Sequence, residues 1–293
     1  MGIATLRSHD PMLNVLTVDV EDWFHVEAFS NKYPVSEWKS QRPRLLENVI
    51  KTLEILDEYD TRATFFILGW VAENLPEVVE LIHERGHEIA SHSQYHRLVH
   101  GLDRAEFKRD LQQSISHIEQ CVNVTVKGYR APSFSIRPDE SWIWEVFAEC
   151  GIEYDSSVFP IKHDTYGTPS APRFAYKVNP AANISVLEIP PSTVRLYGVN
   201  IPVGGGGYLR MFPYWLTQRS IKKINSEGHP AVIYFHPWEL DPDQERIDVG
   251  LKSRFRHYTN LKTFEVKLRR LLAEFRFSSI SEVFKRSMNG APA

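Results

Sequence analysis

Short apolar segments alternate with segments of helical spacing along most of this 293-residue chain. The apolar segments include LNVLTVD at 13–19, ATFFIL at 63–68 and PAVIYFH at 230–236. Between the first two, RLLENVIKTLEILDEY at 44–59 carries apolar residues at helical spacing. This βαβα order implies a parallel sheet with helices outside it and right-handed crossovers, built either as a barrel or as an open doubly wound sheet.

Polar residues follow the apolar segments at the points where the predicted strands end. In both sheet architectures, active groups gather at the C-terminal ends of the strands. Polar residues scattered at random would rarely fall at the ends of five different strands. The sequence therefore predicts one functional site, built from Asp19, His92, Arg130, Asp155 and His236.

The composition is that of one large globular domain or two small ones, with 42% hydrophobic and 24% charged residues. A net charge of −3 gives no indication of a nucleic-acid or membrane-surface partner. Residues 1–14 hold no apolar core of signal-peptide length, and no apolar run approaches the length of a transmembrane helix. Cys121 and Cys150 form no CxxC pair or disulfide framework. Together these features predict a cytoplasmic protein, which could act at the inner membrane face.

HSQYH at 92–96 places two histidines four residues apart, so both imidazoles can reach one ion. Alone, this spacing more often marks a structural or solvated pair. The crowded carboxylates of Asp19, Glu21 and Asp22 complete a two-histidine, one-carboxylate ligand set. Such a set suits one divalent metal, with zinc first and iron, cobalt or nickel as alternatives. A cation would also offset the repulsion among the carboxylates.

Arg130 and His236 are the remaining polar residues with a chemical interpretation. An arginine at a strand end is normally a surface or salt-bridged residue, but beside Asp19 it could hold the carboxylate bidentately. His236 follows four apolar residues, so it emerges from the core at a strand end, and a capped core histidine is the alternative. The run Gly204–Gly207 predicts a loop hinge, with an anion-binding nest as the less favoured alternative.

The segments TVDVEDW, SHSQYH, YRAPSF, YDSS and VIYFH, in this order, resemble the motifs of the polysaccharide deacetylases, carbohydrate esterase family four. The resemblance covers about residues 13–240, leaving 241–293 as a C-terminal loop and helical extension of one domain spanning 1–293. It implies a single distorted (β/α)7 barrel, a divalent metal and hydrolysis of N-acetyl groups on sugars.

Two further likenesses narrow the family. The Asp-x-Glu opening resembles the branch that contains peptidoglycan deacetylases and metal-free, allantoinase-type cyclic-amide hydrolases. The phrases DVEDWFHVEAF, GGGGYLR and HPWELDPDQ look closer to deacetylases of bacterial exopolysaccharide loci, the exosortase-associated subfamily.

The resemblance implies a catalytic role for four of the strand-end residues. Asp19 matches the catalytic base, Arg130 the arginine that orients the base, and His236 the catalytic acid. Asp155 matches the acidic residue of the fourth motif, and either Asp155 or a neighbouring carboxylate could hold the His236 ring.

The metal ligands implied by the resemblance include one open choice. His92 and His96 match the two metal histidines. The usual motif has two adjacent aspartates, base and then ligand, but Val20 occupies the second place here. The carboxylate ligand is therefore Glu21 or Asp22; strand alternation puts Glu21 on the same side as the base and favours it.

The predicted function is metal-dependent removal of N-acetyl groups from an N-acetylated oligo- or polysaccharide. Two alternatives keep the fold: a cyclic-amide or ureide hydrolase, and a non-catalytic carbohydrate-binding protein. The intact metal histidines argue against the first, and the complete set of expected groups argues against the second. Four aromatic residues are candidates for stacking on sugar faces, with core packing as the alternative for each: Trp23, Phe134, Tyr208 and Trp238.

Overall fold

A computed structural model describes residues 12–164, 166–181 and 184–288. Residues 1–11 lie outside the described residues. They belong to the segment 1–14, for which the sequence predicts no signal peptide. The strands are β1 (Leu13–Val20), β2 (Thr64–Ile67), β3 (Glu88–Ser91), β4 (Gly128–Tyr129), β5 (Tyr154–Asp155), β6 (Tyr176–Ala181), β7 (Ile184–Glu188), β8 (Thr193–Leu196), β9 (Val199–Pro202), β10 (Val232–Phe235) and β11 (Arg276–Ser278). The helices are α1 (Leu45–Glu58), α2 (Gly69–Asn74), α3 (Pro76–Glu84), α4 (Arg104–Cys121), α5 (Ser141–Glu149), α6 (Gly207–Met211), α7 (Tyr214–Ser226), α8 (Leu251–Tyr258), α9 (Leu261–Glu274), α10 (Ile280–Val283) and α11 (Lys285–Met288).

The main sheet has the strand order β10-β1-β2-β3-β4-β5-β7-β6, and β11 pairs with the start of β1. All of these pairings are parallel except that between β6 and β7. Every residue of β2 and β10 is buried, as expected for parallel strands covered on both faces. The predicted α/β fold with a mostly parallel sheet is confirmed.

The described strands form no closed ring, and the barrel is distorted between β7 and β10. Hydrogen bonds span this interval: the Ser192 amide donates to the Val232 carbonyl at 3.1 Å, and the Tyr234 amide donates to the Gly204 carbonyl at 2.6 Å. Gly205 has a φ of +149°, and a Cβ there would lie 1.8 Å from the Tyr234 carbonyl oxygen, so only glycine fits. The glycine run therefore packs against β10.

The sequence underestimates the regular structure of two regions. Within residues 160–213 it predicts one clear strand, ISVLEIP at 184–190, whereas the described residues of that range form four strands, β6 to β9. Strand β6 alternates between half-buried and exposed residues, and much of the β8–β9 hairpin is exposed, so neither carries a strong apolar signal. The sequence also predicts a loop to about residue 256, but α8 begins at Leu251 and is separated from α9 by left-handed Asn260.

The predicted strand-end residues lie at the C-terminal edge of the sheet. Asp19 and Asp155 are among the last residues of β1 and β5. His92, Arg130 and His236 directly follow β3, β4 and β10. Among the described helices, none is both long and apolar enough to cross a membrane.

Candidate active site

Three buried side chains at this edge form a candidate metal centre. Oε1 of Glu21 lies 3.1 Å from Nε2 of His92 and 3.1 Å from Nε2 of His96. The three donor atoms all lie within 4.8 Å of one another. Burial raises the pKa of Glu21, but the charges of His96 and His236 outweigh it and hold the carboxyl well below its ordinary pKa.

The surrounding backbone aims these donors at one point. Nδ1 of His92 donates to the carbonyl of Arg130 at 2.7 Å, which directs Nε2 at the carboxylate. His96 is held by a turn in which its amide donates to Oγ of Ser93 at 3.0 Å, and both residues have positive φ. Two imidazole nitrogens and one carboxylate oxygen thus converge in a buried space, where a metal ion would bind the deprotonated form of each. The donor set therefore fits a divalent metal with open coordination positions.

The structure decides between the two candidate carboxylates. Oδ1 of Asp22 accepts from the Trp23 amide at 2.8 Å, and Oδ2 accepts from the amides of Arg44 and Leu45 at 2.7 and 3.0 Å. Oδ2 of Asp22 is therefore engaged by free amides at the start of α1. Desolvation raises the pKa of Asp22 to about 6. Of the two candidate ligands, Glu21 is the one whose oxygen lies beside both histidines.

Asp19 lies beside the metal centre and is held by a fully buried arginine. Oδ1 of Asp19 accepts from Nη1 of Arg130 at 2.6 Å. The same Nη1 donates to Thr17 Oγ1 at 2.8 Å, while Nε and Nη2 donate to the carbonyl and hydroxyl of Ser156. The ion pair is thus made by one nitrogen, and the predicted bidentate contact is wrong because the other donors are occupied.

His236 faces Asp19 and the metal centre from the end of β10. Its Nε2 lies 3.9 Å from Oδ2 of Asp19 and 3.8 Å from Oε1 of Glu21. Its Nδ1 lies 2.9 Å from Oε1 of Glu239. Burial lowers the pKa of His236, but Glu21, Glu239 and Asp19 together raise it to about 9. The ring is therefore cationic at neutral pH and has a proton to give.

Glu239 is the carboxylate that holds the His236 ring. For this role the sequence indicated Asp155 first, with a neighbouring carboxylate as the alternative. Oε1 of Glu239 also accepts from the His236 amide at 3.0 Å. The spacing of three residues, directly after a strand end, has the form of a capping box and is the signal that could have identified it.

Asp155 belongs to a different cluster and makes no described hydrogen bond or ion pair with His236. It accepts from Oγ of Ser157 at 2.5 Å and lies beside the buried carboxyl of Glu188. Ser157 in turn accepts from the Ala131 amide at 2.7 Å. Desolvation raises the pKa of both carboxyls. Through Ser157, Asp155 is thus connected to the backbone that follows Arg130, and its catalytic role stays a prediction.

Three of the four predicted sugar-stacking aromatics are core residues. Trp23 packs edge-on against Phe24 and Tyr33. Phe134 is buried against Phe159 and Tyr234. A sugar has no free ring face to stack on at either residue in this structure.

Trp238 is also covered, because its ring stacks on His236 at 5.0 Å and on His257 at 4.2 Å. Tyr208 alone of the four lines a cleft, which has a volume of about 540 Å³. The lining also includes Ser133, Tyr166 and Tyr234, and the ring of Tyr234 lies 6.0 Å from that of His236.

Comparison with known proteins gives matches to both halves of the chain. Residues 43–154 match the family model described as Polysaccharide deacetylase, and residues 156–285 match a domain of unknown function, DUF3473. Arg130 and both metal-set histidines lie in the first range, and His236 lies in the second. Two family models thus match adjoining parts of the chain, each over less than half of its length.

Two curated relatives match within part of their length. The chain is 29% identical over 83 residues to the chitooligosaccharide deacetylase of Sinorhizobium fredii, covering 28% of this chain and 39% of that protein. It is 34% identical over 100 residues to the peptidoglycan-N-acetylglucosamine deacetylase of Bacillus cereus, covering 34% of each. These matches therefore span well under half of either relative.

The whole fold also has a known counterpart. A crystal structure from Mycobacterium smegmatis, assigned to the polysaccharide deacetylases, superposes with a TM-score of 0.66 at 20% identity. The superposition covers 100% of this chain and 96% of that one. At this identity the likeness shows a shared fold.

Proposed function

We propose that this chain, whose residues 43–154 match the polysaccharide deacetylase family model, is a metal-dependent hydrolase that removes N-acetyl groups from a sugar. The observation that carries the proposal is the position of Asp19 and His236 beside the donor set of Glu21 and the two histidines. Oδ2 of Asp19, which can accept a proton, lies 3.9 Å from Nε2 of His236, which can donate one. Amide hydrolysis needs one group of each kind.

Glu21, His92 and His96 would hold the metal. When bound there, a divalent ion such as zinc supplies Lewis acidity toward a carbonyl and lowers the pKa of water. The residues of the chain provide orientation and proton transfer, and each has a separate contact that fixes it.

Asp19 accepts a proton from the attacking water, and the hydrogen bond from Arg130 fixes the orientation of its carboxylate for that step. His236 donates its Nε2 proton to the amide nitrogen as the C–N bond breaks. The water oxygen ends in acetate, and the nitrogen leaves as the free amine of the sugar.

We infer that the sugar belongs to a bacterial polysaccharide or its precursor. The support is the resemblance of GGGGYLR and HPWELDPDQ to deacetylases of exopolysaccharide loci. Both segments lie beside the cleft: Tyr208 of the first lines it, and His236 of the second is 6.0 Å in ring distance from Tyr234, which also lines it. The cleft offers aromatic surface next to the reacting groups, as sugar sites commonly do.

Acetate release from N-acetylated glycans tests this function. Purified protein should release acetate from chitooligosaccharides, peptidoglycan fragments or an N-acetylated exopolysaccharide, lose that activity with a chelator and regain it with zinc. His92→Ala should be inactive, whereas His83→Ala, a change at an exposed helix residue, should be fully active. Turnover of allantoin alone would refute the sugar substrate, and sugar binding without acetate release by metal-loaded protein would refute catalysis.

A further inference from the structure

We propose that Arg210 is a positioning residue for His236: it acts through Glu239 and ties the catalytic acid to the helix end that borders the substrate cleft. The inference rests on the proposed function, because it assigns a role within the same site. Arg210 lies in GGGGYLR, a segment to which the mechanism above gives no task.

Arg210 is buried in α6, and described acceptors occupy all three of its guanidinium nitrogens. Nε donates to Oε2 of Glu239 at 2.5 Å. Nη1 donates to the carbonyls of His257 and Thr259 at 2.8 and 2.7 Å, and Nη2 donates to the carbonyl of Arg256 at 2.8 Å. A planar guanidinium that bonds one carboxylate and three carbonyls is fixed in orientation.

Glu239 joins this arginine to the acid. One of its oxygens accepts from Arg210, and the other contacts Nδ1 and the amide of His236. The carboxylate is fully buried, and a buried charge is costly unless it is paired. The hydrogen bond from Arg210 supplies this pairing and fixes the second carboxylate oxygen toward the His236 ring.

Arg210 also lies near the ring that stacks on His236. Trp238 stacks on the His236 ring with an interplanar angle of 23° and on the His257 ring with an angle of 20°. The guanidinium carbon of Arg210 lies 5.4 Å from the Trp238 ring centre. Arg210 thus lies beside both residues that hold the acid, Glu239 and Trp238.

The carbonyls that hold Arg210 belong to the end of α8 and the turn before α9. Phe255 and Arg256, in the last turns of α8, line the cleft. Asn260 Nδ2 and Lys267 Nζ donate to the backbone carbonyl of Arg210 at 3.1 and 2.5 Å, which ties α6 to the same junction. Arg210 therefore contacts both α8, which lines the cleft, and Glu239, which holds His236.

The leaving group of the substrate gives a readout that a merely structural role would not move. An amine needs a proton to depart, whereas 4-nitrophenolate departs from 4-nitrophenyl acetate without one. The turnover number, kcat, would be measured for Arg210→Lys and Glu239→Gln on an N-acetylated oligosaccharide and on this ester. Arg173→Lys is the matched control, since Arg173 bonds Glu227 and the Thr193 carbonyl away from the site.

We expect the amide-to-ester ratio of kcat to fall at least about tenfold in both site variants and to stay unchanged in the control. Equal losses on the two substrates, or no loss, would overturn the proposal. If Arg210→Lys does not fold, Arg210→Gln provides a second variant of the same position.

Proton NMR supplies a measurement that needs no turnover. In the wild type, the Nδ1 proton of His236 should give a downfield, slowly exchanging resonance that is lost in Glu239→Gln and broadened in Arg210→Lys. Absence of this resonance from the wild type would also overturn the proposal. Wild-type protein that releases no acetate from any N-acetylated glycan would instead refute the proposed function, and the NMR result would still decide the role of Arg210.

Discussion

Nε2 of His236 lies 3.9 Å from Oδ2 of Asp19 at the C-terminal edge of the sheet. Each side chain is turned toward the other by a separate ion pair: Arg130 holds Asp19, and Glu239 holds His236. Asp19 and His236 lie far apart in the sequence, and the parallel pairing of β1 with β10 brings them together. Five predictions follow from this arrangement and its surroundings.

The adjacent carboxylates of Glu21 and Asp22 should separate metal binding from stability. Glu21→Ala should lose bound metal, because Oε1 of Glu21 faces both histidines. Asp22→Ala should keep the metal but lower the free energy of unfolding by about 1 kcal/mol, the usual effect of losing a helix cap. Elemental analysis and urea denaturation with chelator measure the two effects, and metal loss confined to Asp22→Ala would reverse the assignment.

Asp19→Asn should bind metal normally and lose turnover by orders of magnitude. The amide keeps the size of the side chain but cannot accept the proton of water. Elemental analysis and acetate release would be measured on the same preparation. Recovery of activity with excess metal would show that Asp19 is a ligand and not the base.

His236→Ala should retain its metal and lose about 10²- to 10⁴-fold in kcat on N-acetylated sugars, the usual contribution of a general acid. The effect should be much smaller on 4-nitrophenyl acetate, whose leaving group needs no proton. Undiminished turnover of the amide would leave His236 as a core histidine only.

The buried pair of Asp155 and Glu188 should make stability depend on pH. Desolvation raises the pKa of both carboxyls, so their contribution is fully present below the ordinary carboxyl pKa of about 4 and is lost as pH rises through the folded-state values. Asp155→Asn removes one titrating group. As pH rises from about 4 to about 7, the free energy of unfolding of this variant should therefore increase relative to that of the wild type. Urea denaturation at a series of pH values measures this, and parallel curves would contradict it.

Tyr208 should contribute to binding of long substrates. Tyr208→Ala should raise KM for an N-acetylated oligosaccharide by about 2- to 10-fold, since an aromatic contact is worth about 0.5–1.5 kcal/mol. Tyr197→Ala is the control, because that ring is 97% exposed at the tip of the β8–β9 hairpin. Equal KM values for the two variants would place the sugar elsewhere.

The strand-end residues could be predicted because two simple rules act together. Strands buried on both faces, such as β2 and β10, are encoded by continuous apolar segments and are easy to find in the sequence. Their C-terminal ends share one edge of the sheet, so the first polar residue after each run lies near the others. Asp19 and His236 needed no more information than this.

The sequence alone could not choose between Glu21 and Asp22. The two residues are adjacent and chemically alike, and alternation only favoured the first. The choice is made by free amides at the start of α1, 22 residues further along, which take the carboxylate of Asp22. A hydrogen-bond donor so distant in sequence leaves no local pattern.

By itself the sequence determined the α/β class, the edge of the sheet that carries the chemistry, and most of the residues that gather there, because apolar periodicity encodes each strand and its end. Only the tertiary structure decided which side chains support them. It replaced Asp155 with Glu239, brought Arg210 to that carboxylate, and buried Trp23, Phe134 and Trp238 in the core. These outcomes depend on which segments pack side by side and on which buried polar groups find partners, and neither is written in the spacing of residues along one strand or helix.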